Sequence, residues 1–110
     1  MLGRHGRTIG NHMATHAATL EVDLHFPQAR SLKAKRAVLR PLVEGLRHRF
    51  QVAVAEVDHH DRWQRACVAV AAVASSPSHV DEVLDACERF VWSQPGLEVL
   101  QCTRRWLVDA

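Results

Sequence analysis

The sequence predicts an α+β domain with its elements in the order βαββαβ, and three observations carry that prediction. Hydrophobic residues alternate over 18–26 and run almost unbroken over 66–74, as strands do. They recur at helical spacing over 32–50 and again over 80–91. Turn-forming residues (Pro27, Ser75-Ser76-Pro77-Ser78, Pro95-Gly96) fall at the joints between these segments.

Residues 1–14 are rich in Gly, His and Arg without a hydrophobic period, which predicts a disordered N-terminal extension ahead of a single domain over 15–110. Met13, just before the first patterned segment, is a second candidate start. From Ala18 to Phe26, Leu20, Val22, Leu24 and Phe26 point one way and Glu21, Asp23 and His25 the other. Pro27 ends this half-buried strand. Ser31 then offers its hydroxyl as N-cap to a helix reaching Phe50, with Leu32, Leu39, Leu42, Val43, Leu46 and Phe50 as its apolar set. Pro41 removes one helical hydrogen bond and Gly45 weakens the same stretch, so a kink or break is expected near residue 40.

A second strand is expected over 52–57 and a third over 64–74, joined by the loop 58–63. Ser78 with Asp81 and Glu82 marks the start of a second helix carrying Val80, Val83, Leu84, Cys87, Phe90 and Val91 on one face. Pro95-Gly96 closes it, and 97–107 is the last strand. This succession is the ferredoxin-like arrangement: a four-stranded antiparallel sheet with two helices on one face. The second and third strands are apolar on both faces, yet the helices cover only one. The uncovered face therefore predicts a homo-oligomer, most simply a dimer. The alternative is that small Ala side chains leave an innocuous exposed surface.

A chain of 110 residues, 47% hydrophobic and 24% charged, suits one globular domain. No apolar run approaches the ~20 residues that span a bilayer, and Arg4, His5 and Arg7 are followed by no apolar stretch of a secretory signal, so no membrane partner is expected. Cys67, Cys87 and Cys102 are odd in number and lack metal-ligand spacing. They read as reduced core thiols of a cytoplasmic protein. The net charge of +2 does not itself imply a polyanionic partner, but its distribution is uneven. Seven basic residues (Arg30, Lys33, Lys35, Arg36, Arg40, Arg47, Arg49) against Glu44 fill 30–49, whereas Asp81, Glu82, Asp85 and Glu88 against Arg89 dominate 80–90.

The first candidate site is that basic helix. Lys33, Arg36, Arg40 and Arg47 share an arc of about 60° at 3.6 residues per turn, beside the apolar stripe. Lys33, Lys35 and Arg36 crowd the helix N-terminus, where the dipole is already positive and each cation costs about 0.3–1 kcal/mol. An anion such as phosphate would compensate. Pairing with the acidic second helix, which this fold lays alongside, is the competing reading and the commoner fate of a charge run. Arg62-Trp63-Gln64-Arg65 is the second candidate: an indole between cations can stack on a base, although such a Trp more often folds back over the edge of the core. The candidate nucleic-acid-binding residues are thus Arg30, Lys33, Lys35, Arg36, Arg40, Arg62, Trp63 and Arg65.

Asp58-His59-His60-Asp61 could supply zinc ligands, but adjacent imidazoles do not readily aim at one ion and no CxxC or HxxxH accompanies them. A solvated turn is the preferred reading, with no metal and no cofactor. The central strands carry Val, Ala, Leu and Cys where an RNA-recognition motif carries aromatics. No cysteine pair lies in the first loop, and no Gly-rich phosphate loop or Ser-His-Asp set can be assembled. A non-catalytic protein is expected.

Three motifs taken in order, Pro27 with Ser31-Leu32-Lys33-Ala34-Lys35-Arg36, Arg49-Phe50-Gln51-Val52-Ala53-Val54-Ala55-Glu56-Val57, and Asp61-Arg62-Trp63-Gln64-Arg65-Ala66, closely resemble the YlxP-like family of bacterial proteins, family 503 of domains of unknown function. The resemblance covers about 17–107. It implies a ferredoxin-like fold and a cytoplasmic location and supplies no catalytic residues. Genes of such proteins often lie beside those for a translation initiation factor and a ribosome-binding factor. Pro41 and the N-terminal extension depart from the family pattern. Two functional expectations follow: a module that binds structured RNA or a ribosomal particle, or an oligomeric protein-interaction module with no nucleic-acid role.

Overall fold

The computed structural model describes residues 14–108. The expected extension over 1–14 therefore lies, apart from Ala14, outside the described residues. Six elements follow in the expected order: β1 (His16–His25), α1 (Leu32–Arg49), β2 (Ala53–Asp58), β3 (Arg65–Ala74), α2 (Pro77–Trp92) and β4 (Glu98–Val108). The sheet order is β2-β3-β1-β4, antiparallel throughout. This is the ferredoxin-like arrangement, with both helices on one face.

Strict alternation along β1 sends Ala18, Leu20, Val22 and Leu24 into the core. Ala66, Val68, Val70 and Ala72 of β3 lie beside them in register, Leu20 opposite Val70 and Val22 opposite Val68. Leu39, Leu42 and Leu46 of α1 and Val80, Leu84, Cys87 and Val91 of α2 close the core from above. No helix is long and apolar enough to cross a membrane among the described residues.

Three local expectations are corrected. α1 runs unbroken through Pro41, so no break forms near residue 40. Pro41 is exposed, and the apolar residues before and after it, Leu39, Leu42 and Leu46, are all anchored in the core. That tertiary burial outweighs the loss of one hydrogen bond. Gly45 is likewise a packing residue and not a weak point: a Cβ there would fall 2.5 Å from Cζ of Phe90, so the glycine is what lets α2's ring approach α1. The second helix is capped by Ser76, whose Oγ accepts from the His79 N–H at 3.2 Å, and not by Ser78; Pro77 occupies the first turn.

The face away from the helices divides in two. On its β2–β3 half lie Ala53, Ala55 and Val57, with Val73 being 66% exposed. On its β1–β4 half, Glu21 stands opposite Thr103, Asp23 opposite Gln101, and Thr19 opposite Arg105. The expected apolar open face is therefore present, confined to one side of the sheet.

Candidate nucleic-acid interface

The basic helix begins at Ser31, whose Oγ accepts from the Ala34 N–H at 3.0 Å. From this start, helical geometry distributes the cations around α1, and they meet different fates. Lys33, Arg36 and Arg40 are exposed, and among the described residues they take part in no salt bridge and no side-chain hydrogen bond. With Ala37, Pro41 and Glu44 they line a shallow depression along the outer side of α1. From Lys33 to Arg40 the ridge is about 10 Å long at 1.5 Å per residue.

Lys35 is different, and its assignment to a nucleic-acid surface is corrected. It is only 1% exposed. Its ammonium donates to the backbone oxygens of His59 at 2.9 Å, Arg65 at 3.1 Å and His60 at 3.4 Å, and lies 3.4 Å from Glu56 Oε2. One step along the helix from the exposed ridge brings residue 35 onto the core-facing side, where a long flexible stem carries its charge through to the end of the sheet. Lys35 is therefore an internal clamp holding the β2–β3 loop and is not available to phosphate.

Arg47 also leaves the predicted ridge. Its Nη2 donates to the Val54 carbonyl at 2.9 Å, satisfying an acceptor on the outer edge of the sheet. Arg30 is exposed but bends back, with Nη1 donating to the Pro27 oxygen at 3.2 Å and the Ala29 oxygen at 3.5 Å. Arg49 stacks over the Phe90 ring at 4.9 Å from its centroid. Of the cations on the predicted ridge, Lys33, Arg36 and Arg40 remain turned to solvent.

The competing expectation, neutralisation of α1 by the acidic second helix, is overturned by where those carboxylates point. Arg104 of β4 rises from the helix-covered face between them. Its Nη1 donates to Asp81 Oδ1 and to Asp85 Oδ1, both at 3.0 Å, and its Nη2 lies 3.5 Å from Glu88 Oε1. Burial pulls the Arg104 guanidinium down, but the hydrogen bonds to Asp85 and Asp81 outweigh it and hold the group above its ordinary value. Three of α2's acids are thus turned towards β4, away from α1. The sequence pattern holds no sign of this, because the acids are drawn aside by a single Arg on a strand, 55 residues beyond the end of α1 at Arg49.

The loop between β2 and β3 forms the second part of the surface. Trp63 is 54% exposed, so the expectation that it folds back over the core edge is corrected. The loop is tied down from beneath: Lys35 holds the His59 and His60 oxygens and that of Arg65 at the start of β3, Gln64 Nε2 donates to the Ala29 and Pro27 oxygens at 3.1 and 3.3 Å, and the Phe26 N–H donates to the Gln64 oxygen at 3.0 Å. These bonds fix the loop to the turn that precedes α1, leaving no inward place for the indole. Arg62 is exposed and Arg65 half-buried, with its Nε buried and lacking a hydrogen-bond partner. His59 adopts a left-handed backbone (φ 62°), which is uncommon outside glycine.

Within the Asp58–Asp61 stretch, the His59 N–H donates to Asp58 Oδ1 at 2.7 Å and His60 Nε2 lies 3.1 Å from the Glu56 oxygen. Both contacts belong to a hydrogen-bonded turn. Among the described residues no group of three His, Cys, Asp or Glu side chains is placed to hold a metal ion. The three cysteines are free. Burial pushes the Cys87 thiol up to about 11, and burial together with Asp23 does the same for Cys67.

Comparison with known proteins agrees with the motifs. A family model described as "Protein of unknown function (DUF503)" matches residues 17–104. The chain is also similar to a Bacillus subtilis (strain 168) protein described as "Uncharacterized protein YlxP", at 35% identity over 78 residues, covering 71% of this chain and 85% of that protein.

Proposed function

We propose that this chain, which belongs to the DUF503 family, is a non-catalytic cytoplasmic module that binds structured RNA, with a ribosomal particle as its natural setting. One observation carries the reading: Lys33, Arg36 and Arg40 form an exposed cationic ridge on α1, while three carboxylates of α2 are engaged by Arg104. Unneutralised cations in a row attract the closely spaced phosphates of a folded RNA and release its condensed counterions on contact. Arg62 and the exposed Trp63, on a loop clamped to the start of α1 by Lys35, add a second contact of matching chemistry. The test is co-sedimentation with ribosomal particles at low and moderate salt. The folded triple variant Lys33→Glu, Arg36→Glu, Arg40→Glu should be lost from the particle fraction, and unchanged sedimentation would reject the reading.

A second reading rests on the open side of the sheet. Ala53, Ala55, Val57 and Val73 expose apolar side chains on this half of the sheet without a helix above them, which supports a homodimer or another protein partner. Light scattering after size exclusion separates the two cases, since a plain monomer at micromolar concentration removes the oligomer.

A further inference from the structure

We infer that the cleft beside Trp63 takes one unpaired nucleotide of the bound RNA, and that it selects a base carrying an exocyclic amine. The inference rests on the RNA-binding reading above and extends it to a substrate class. The cleft is a wide, open depression lined by His25, Asp61, Arg62, Trp63, Gln64 and Arg65.

Its chemistry is that of a stacked, charged, planar ligand. Trp63 supplies an exposed indole face, and base–aromatic stacking is tolerant of base identity. Arg62 and Arg65 donate no side-chain hydrogen bond and join no ion pair among the described residues, and the Arg65 Nε–H is buried without an acceptor. Turning towards a phosphate or ribose oxygen therefore breaks no existing bond of either guanidinium. Asp61 is the acid of the cleft and is likewise unpaired among the described residues. A carboxylate there repels phosphate and accepts from N–H donors, so it favours the amine-bearing edge of cytosine over the carbonyl edge of uracil. His25, held by Glu98 at 2.9 Å, fixes the far wall.

Preorganisation strengthens the case. An exposed tryptophan on a mobile loop loses freedom when it stacks, whereas this loop is already fixed by Lys35, Gln64 and the bond from Phe26 to Gln64. Extruding a base from a paired stem costs stacking, so the natural occupant is a base already outside a helix, in a bulge or loop.

The experiment compares three RNA hairpins that differ at one position: an unpaired cytidine, an unpaired uridine, and a fully paired parent. Each is titrated with the full chain, with Trp63→Leu and with Asp61→Ala. The wild type should bind the cytidine hairpin about tenfold more tightly than the paired parent, with the uridine hairpin between them. Trp63→Leu should bring both unpaired hairpins to the level of the parent, and Asp61→Ala should make cytidine and uridine equal. Equal wild-type affinity for all three, or a preference that survives Trp63→Leu, overturns the nucleotide cleft and leaves RNA binding by α1 standing. Failure of the wild type to bind any of them overturns both.

Discussion

Lys35 Nζ lies 2.9 Å from the backbone oxygen of His59, joining the first turn of α1 to a loop 24 residues further along the chain. The buried ammonium has Glu56 as its counter-charge and two further backbone oxygens as acceptors. Removing it leaves those groups without their donor, which costs more than the bonds themselves contribute. Lys35→Met should therefore destabilise the domain by roughly 2–4 kcal/mol in a urea titration and speed hydrogen exchange at residues 59–65. Lys35→Arg should restore little, because a planar fork does not match acceptors arranged around a point charge. Native stability in Lys35→Met would contradict the clamp.

Gly45 gives an opposite sign to intrinsic helix propensity. Alanine is favoured over glycine in a helix by about 1 kcal/mol, yet a Cβ at residue 45 would sit 2.5 Å from Phe90 Cζ. Gly45→Ala should lower stability by about 1–3 kcal/mol, and Phe90→Leu in the same chain should recover part of the Gly45→Ala loss. Thermal unfolding of the two single variants and the double variant measures the coupling.

Arg104 holds three carboxylates of α2 together. Those carboxylates are half-exposed, so the network contributes on the scale of surface pairs. Arg104→Met should cost about 1–2 kcal/mol at low salt, and added salt should shrink the difference by screening the repulsion left among the acids. A loss that does not respond to salt would assign the role of Arg104 to packing alone.

The thiols set the alkaline limit. Cys87 and Cys67 are held near 11 in the folded chain, above the ordinary thiol value of 9.0. Below pH 9 both states bind the proton and these groups add no pH dependence. Between pH 9 and 11 the unfolded chain releases protons that the native chain retains, so stability falls across that window. Cys87→Ala should flatten part of the fall, and native thiols should react with a disulfide reagent at pH 8 far more slowly than after denaturation. Rapid labelling of all three cysteines in the native chain would contradict the burial.

The legibility of this sequence follows the range of the interactions. β1 is readable because alternation over Leu20, Val22 and Leu24 is local, and α1 because Leu39, Leu42 and Leu46 recur on one side. Helix continuity at Pro41 is not readable, since the core contacts that hold both halves in line come from elsewhere in the chain. The same applies to charge. Lys33 and Lys35 are indistinguishable as letters in a basic run, but the oxygens that capture Lys35 belong to a loop whose position depends on the completed sheet. Exposure of Trp63 has a similar origin: Gln64 and Lys35 occupy the space beneath the loop. The fold class and the exposed ridge Lys33, Arg36, Arg40 are local properties, whereas the clamp and the Arg104 network are not.

Salt dependence reports whether the ridge on α1 meets phosphate. Affinity for a structured RNA should be measured from 50 to 300 mM salt for the wild type and for Lys33→Gln, Arg36→Gln, Arg40→Gln, with Lys35 intact. If the three exposed cations meet phosphate, the slope of log affinity against log salt should become shallower by about 2–3 in the variant. An unchanged slope with folded protein would show that these side chains release no counterions and that the ridge on α1 does not face RNA.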